Sequence, residues 1–148
     1  MYIDLIASDF LTINYNYDTQ ILVSRWLRPV TPTEARRGYE DLLAAAQKQN
    51  AHHWLIDIRR CQSSAPETLD WLQNSYYPKL TAELRSPVCV GYFMSPDLRK
   101  DFEVNGKKLD PALIGESFRL SLCTTEGECM NWLLQEQQHP TAQLLATK

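Results

Sequence analysis

The sequence predicts a single two-layer α/β domain. It is a mixed sheet of about five or six strands, an N-terminal antiparallel meander followed by a βαβαβ run, with helices mainly on one face. Three observations lead there. Alternating apolar and polar residues recur in short stretches over residues 2–27 with only turns between them. A strongly capped amphipathic stretch then separates these strands from the apolar run at residues 54–58, and a helical crossover joins parallel neighbours. The chain has 148 residues, 44% hydrophobic and 22% charged, which suits one globular domain with its own core.

Residues 2–8 and 11–17 read as the first two strands. In the second, Leu11, Ile13, Tyr15 and Tyr17 alternate with polar residues, as in a strand with one wet face. A turn at Asp18 and Thr19 leads into a third strand over residues 20–27, carrying Ile21, Val23 and Trp26. Thr31, Pro32, Thr33 and Glu34 form a capping box with proline at the first helical position. Ala35, Tyr39, Leu42, Leu43 and Ala46 follow at helical spacing, and Asn50 ends the helix. Gly38 inside it is a weakness of up to about 1 kcal/mol unless something packs closely there.

The run at residues 54–58 is a buried parallel strand. Ser64, Ala65, Pro66 and Glu67 open a second helix by the same capping logic, with Leu69, Leu72, Tyr76, Leu80 and Leu84 facing inward. Pro78 is expected to kink or interrupt it near Tyr77. Residues 87–94 form the next strand, 95–117 a long charged loop with one helical turn near 111–114, and 118–122 a last short strand. Thr124 then caps a third helix holding Cys129, Met130, Leu133 and Leu134. The tail from His139 has no amphipathic period and is expected to be mobile. Residues 1–138 are thus the domain and 139–148 a tail.

Composition narrows the function. A net charge of −3 with scattered basic residues argues against nucleic acid as the partner. No apolar run approaches the length of a membrane span, and the N-terminus has no basic leader or cleavage pattern, so a cytoplasmic protein is expected. Cys61, Cys89, Cys123 and Cys129 show neither a paired C-x-x-C nor zinc-ligand histidines, so no metal is expected. They read as reduced, buried thiols. Cys61 is the exception, because the two arginines before it would favour its thiolate. Isolated glycines make no phosphate loop, and no G-x-S-x-G elbow is present. A cofactor-free, non-enzymatic protein is the first expectation.

The carboxyl edge of a parallel sheet is where open α/β folds place their sites. Two turns lie there, after residue 58 and after residue 94. Arg59, Arg60, Ser63, Ser64, Ser95, Asp97 and Arg99 are expected to converge across a crevice, as a site for a small anion or a phosphorylation-controlled contact. Helix capping and ordinary turn chemistry account for the same residue types. Asp57, between Ile56 and Ile58, must face away from them or lose hydration. It is expected to pair with Arg59 on its own side, with a ligand or general-base role as the alternative. Trp71 and Tyr77, on the outer side of the second helix, are candidates for an exposed aromatic dimer contact.

These features resemble the STAS or SpoIIAA-like domains of bacterial anti-sigma-factor antagonists. The resemblance rests on Trp26, the Thr31–Glu34 cap, Gly38-Tyr39 with Leu42-Leu43, residues 54–59, Glu67 with Trp71, Pro78 and Trp132-Leu133. It implies a non-enzymatic regulatory module that binds a protein partner at the start of its second helix, where the family carries a phosphorylatable serine. Ser63 or Ser64 takes that place here, without the aspartate before and the glycine after that mark the family motif. The resemblance and the sequence together imply a cytoplasmic homodimer. Two other functions remain open. One is a ligand-binding module taking an acyl or nucleotide-like molecule under the 95–117 loop. The other is a small enzyme using Cys61, Ser63 or Ser64.

Overall fold

A computed structural model describes residues 1–61, 65–85, 87–104 and 117–138. Six strands form one sheet in sequence order: β1 (Tyr2–Ala7), β2 (Leu11–Asn16), β3 (Ile21–Trp26), β4 (His53–Asp57), β5 (Val88–Phe93) and β6 (Phe118–Cys123). The first three pair antiparallel, and β3 through β6 are parallel. This is the expected mixed α/β sheet, meander first and crossovers after.

Side-chain alternation gives the sheet two faces. Leu22, Trp26, Trp54, Ile56, Val88, Val90 and Tyr92 point to one, into the larger core. There they meet α1 (Pro32–Gln49), the pair α2 (Pro66–Trp71) and α3 (Tyr77–Leu84), and α4 (Pro96–Val104) through Leu98. Ile21, Val23, Leu55, Cys89, Phe93 and Cys123 point the other way, where Cys129 and Leu133 of α5 (Glu126–Gln138) cover them.

The first helix is built as its sequence demands. Thr31 Oγ1 accepts from the amide of Glu34, and Glu34 accepts in return from the amide of Thr31. Asn50 closes the helix in the left-handed conformation (φ 54°), its amide reaching Ala46 and Gln47. Gly38 has the close neighbour it needs. A Cβ there would stand 2.4 Å from Trp26 Cη2, far inside van der Waals contact. Glycine lets the indole of β3 lie on the helix backbone.

The second helix departs from expectation in two ways, its cap and its buried stripe. Its N-cap is Ala65, with Pro66 at the first position and no side-chain cap; Ser64 lies outside the described residues. Near Tyr77, where Pro78 is expected to kink or interrupt it, the α-helical pattern is interrupted: a π-helical turn, Leu72–Tyr76, joins α2 to α3, and the amide of Tyr77 bonds to the carbonyl of Leu72. The widened turn accommodates the proline ring while the chain stays helical. It also changes the buried stripe, because the extra residue turns both Tyr76 and Tyr77 inward. Tyr77 is therefore buried at 4% exposure, stacked on Phe118 with centroids 4.6 Å apart. This corrects the expectation of an exposed aromatic contact at Tyr77. Trp71 is half-buried, against Tyr39 and Tyr76 and beneath the Arg36 guanidinium.

Residues 96–104 form a helix where a loop is expected. Ser95 Oγ accepts from the amide of Leu98, Ser95 O accepts from the amide of Arg99, and Pro96 starts the turn. The Ser-Pro-Asp sequence that reads as a turn is a helix start: a serine cap, a proline that needs no N–H donor, and an acid in the first turn. The helical turn expected near 111–114 and the tail from His139 lie outside the described residues. The last helix is capped one residue later than Thr124. Thr125 Oγ1 accepts from the amide of Glu128, whose carboxylate accepts from the amide of Thr124.

Candidate functional site

Because β3, β4, β5 and β6 run parallel, their carboxyl ends share one edge. Asp57 is the last residue of β4, aligned with Arg25 of β3 on one side and Phe93 of β5 on the other. Alternation turns it away from Ile56 and Ile58, onto the α5 face, as expected. It is 4% exposed.

Two arginines compensate the buried charge. Arg59 Nε donates to Asp57 Oδ1 at 3.0 Å and Nη2 to Oδ2 at 2.9 Å, a two-pronged pair, and the Arg59 amide adds a bond to Oδ1 at 3.1 Å. Arg25 Nη1 donates to Oδ2 at 2.8 Å, while its Nη2 reaches Glu126 Oε1 at 2.7 Å at the start of α5. The Arg59 guanidinium also lies 4.2 Å from the centroid of the Phe93 ring. Burial pushes the Asp57 carboxyl up, but the hydrogen bonds from Arg59 and Arg25 outweigh it and hold it below its ordinary value. Its bond to Asp57 raises Arg59. Arg25 is raised too, since its bonds to Glu126 and Asp57 exceed the cost of burial.

The chemistry of this cluster follows from its occupancy. A carboxylate offers about four acceptor positions, and Asp57 has filled them with arginine donors. It is committed as an anchor, with no lone pair left for a substrate proton. The arginines keep one face each in solvent, at 35% side-chain exposure for Arg25 and 47% for Arg59. The edge therefore presents fixed guanidinium groups. Arg60, next in the turn, is exposed.

The wider convergence expected at this edge is only partly observed. Asp57 and Arg59 come together, and Arg25 and Glu126 join them. Ser95 does not join; its hydroxyl is engaged as the α4 cap. Ser95, Asp97 and Arg99 start a helix that packs through Leu98 on the opposite side of the sheet from Asp57. Ser63 and Ser64 lie outside the described residues. Cys61 corrects another expectation. Burial and the nearby Asp57 charge push its thiol up to about 11, and its Sγ donates to the carbonyl of Arg28 at 3.6 Å. Arg59, two residues before it, is spent on Asp57. Burial likewise pushes Cys89 up to about 12 and raises Cys129, which is hydrogen-bonded to Cys123.

Arg25 and Glu126 are the partners that sequence reading missed. Arg25 carried a usable signal: it shares the parity of Ile21 and Val23, so it stands on an otherwise apolar face beside a strand that ends in an acid. Glu126 carried none, as a bond across 101 residues has no local pattern. Among the described residues no group of three His, Cys, Asp or Glu side chains is gathered to hold a metal ion, and no helix is long and apolar enough to cross a membrane. Comparison with protein-family models, curated proteins and solved structures finds no match.

Proposed function

We propose that this chain is a non-enzymatic, STAS-like regulatory module of the bacterial cytoplasm. It acts through a protein contact made at the carboxyl edge of its sheet, as a homodimer. The contact surface is the rim formed by Arg59, Arg60 and the start of α2. Ser63 and Ser64, adjacent in sequence, are where phosphorylation would tune it, since added phosphate beside clustered arginines changes the local charge.

One observation carries this reading. The one buried carboxylate at the edge among the described residues is saturated by two arginines whose outer faces reach solvent. Such an arrangement fixes guanidinium groups in place, which suits recognition of an acidic or phosphorylated surface, and it leaves Asp57 no role as a base.

The test is site-specific photocrosslinking in the native cell, with the crosslinking side chain at position 60. The proposal expects one discrete adduct, diminished at least tenfold by Arg59→Glu and altered by Ser63→Asp or Ser64→Asp. Adducts that are diffuse, or indifferent to all three changes, would remove this edge as the working surface. Sedimentation of the same variants reads the oligomeric state independently.

A further inference from the structure

The carboxyl edge carries its own counter-ion. Arg25 and Arg59 both donate to Asp57 Oδ2, at 2.8 and 2.9 Å, so two guanidinium groups meet on one oxygen atom. Asp57 balances one of the two positive charges. Glu126 balances the other, its Oε1 accepting from Arg25 Nη2 at 2.7 Å. These four side chains sum to zero charge. When Glu126 withdraws, the group becomes cationic.

The two carboxylates are held very differently. Asp57 is buried and takes donors from Arg25 and from the side chain and amide of Arg59. Pulling it away would strand buried charge. The Glu126 side chain is 48% exposed and reaches the group through Arg25. An exposed pair of this kind is weak, because side-chain ordering and solvent offset most of its Coulomb energy. Nor does α5 depend on it. Thr125 and Glu128 cap the helix, and Cys129 and Leu133 seat it on the sheet. Rotation of one side chain therefore frees Arg25 Nη2 while helix, strand end and Asp57 stay in place.

The place Glu126 takes is one that both arginines address. Burial lowers Arg25, but its bonds to Glu126 and Asp57 raise it, and the Glu126 charge adds to them. Arg59 is raised by its bond to Asp57 and further by the Glu126 charge. An oxyanion at this point is thus attracted by two cations. Arg59 keeps its orientation without Glu126, since the two-pronged bond to Asp57 and the Phe93 ring at 4.2 Å fix its plane. A phosphomonoester brings more charge and more acceptor oxygens than a carboxylate, and arginine binds it in the stronger, charge-assisted way.

We propose that Glu126 is a displaceable internal stand-in for the partner's anion: it occupies the place on Arg25 that a phosphorylated side chain of the partner takes on binding, and keeps the edge neutral until that phosphate arrives. This rests on the reading of the edge as a protein-contact surface and adds its ligand class, a phosphomonoester, and its regulation, an autoinhibitory contact from the start of α5.

The test is titration of the full chain with phenyl phosphate, read by NMR at the Nε–Hε groups of Arg25 and Arg59. Glu126→Gln removes the competing charge at constant size and is expected to tighten binding by about three- to fivefold, the range that loss of an exposed ion pair allows. Glu128→Gln changes net charge equally, two residues away, and should leave the affinity nearly unchanged. Adding Arg25→Gln to Glu126→Gln should abolish the gain. In the wild type, saturation should shift the Glu126 Cδ resonance as its carboxylate is released. No tightening in Glu126→Gln, equal tightening in both glutamate variants, or an unmoved Glu126 resonance overturns the proposal. Photocrosslinking from position 60 reads the contact separately. A discrete adduct with an inert Glu126 keeps the contact and removes the stand-in; a responsive Glu126 without an adduct keeps the phosphate site and removes the contact.

Discussion

The two faces of the sheet handle polarity in opposite ways. On the α5 side the core is small and holds three cysteines, and charges pair at its margins, Arg25, Asp57, Arg59 and Glu126 at the carboxyl edge and Arg119 with Glu136 further along α5. On the α1 side the core is large and aromatic, and its polar atoms lie inside, partly bonded and partly unspent. Charges sit where solvent and opposite charges share the cost of burial. Neutral hydroxyls are tolerated deeper. The comparison teaches that recognition belongs to the edge of the thin face, and that most of the stability comes from the thick one.

The largest expected effect breaks the thick face. Trp54 is fully buried and its Nε1 donates to the carbonyl of Ala51 at 2.9 Å. Trp54→Ala is expected to cost about 3–5 kcal/mol in urea unfolding. Leu133→Ala on the thin face should cost less, about 2–3 kcal/mol, because fewer large side chains surround it. Equal losses would erase the distinction between the faces. Gly38→Ala comes next. Alanine favours a helix by up to about 1 kcal/mol, but its Cβ would collide with the Trp26 ring, and overpacking costs about 1–3 kcal/mol. A net loss of stability is expected; a gain would mean that the indole does not rest on the helix.

At the edge, Asp57→Asn is expected to cost about 1.5–3 kcal/mol at neutral pH, the range for hydrogen bonds to a charged group. The figure stays below that for a stranded buried ion because the orphaned arginines are partly exposed and regain water. Its pH dependence is the sharper signature. A carboxylate held below its ordinary pKa stabilises the fold above that ordinary value, and the contribution is lost as pH falls through the folded value. The variant should flatten the acid limb of the stability curve. At neutral pH the smallest effect is at His53, whose imidazole is lowered to about 4 by burial and by the adjacent His52. Between its ordinary value of 6.5 and about 4 the unfolded chain takes up a proton that the folded one refuses, so stability falls as pH falls across that window. His53→Gln should remove this slope and leave the lower one, due to Asp57, in place.

The residues that were legible in the sequence are those with local causes. The Thr31 capping box, the stripe from Ala35 to Ala46, the run ending in Asp57 and its pairing with Arg59 all follow from neighbours a few positions apart. The misreadings have equally definite causes. Ser95-Pro96-Asp97 satisfies a turn and a helix start alike, and the burial of Leu98 decides between them. Tyr77 was placed by a period of 3.6, which the π-turn before it breaks. The Arg25 and Glu126 partners are set by strand order and by the docking of α5, and neither is a property of any short window. The fold was therefore more legible than the site, since periodicity reports burial and not which charges meet.

The account turns on Asp57 being spent on its arginines. Titration of its carboxyl carbon by NMR measures this directly in the folded protein. The account predicts a pKa below the ordinary aspartate value of about 3.9, moving upward in Arg25→Ala and Arg59→Ala. A carboxyl that titrates above that value in the wild type, indifferent to both arginines, would make Asp57 a poised base and contradict the assignment of this edge to protein contact.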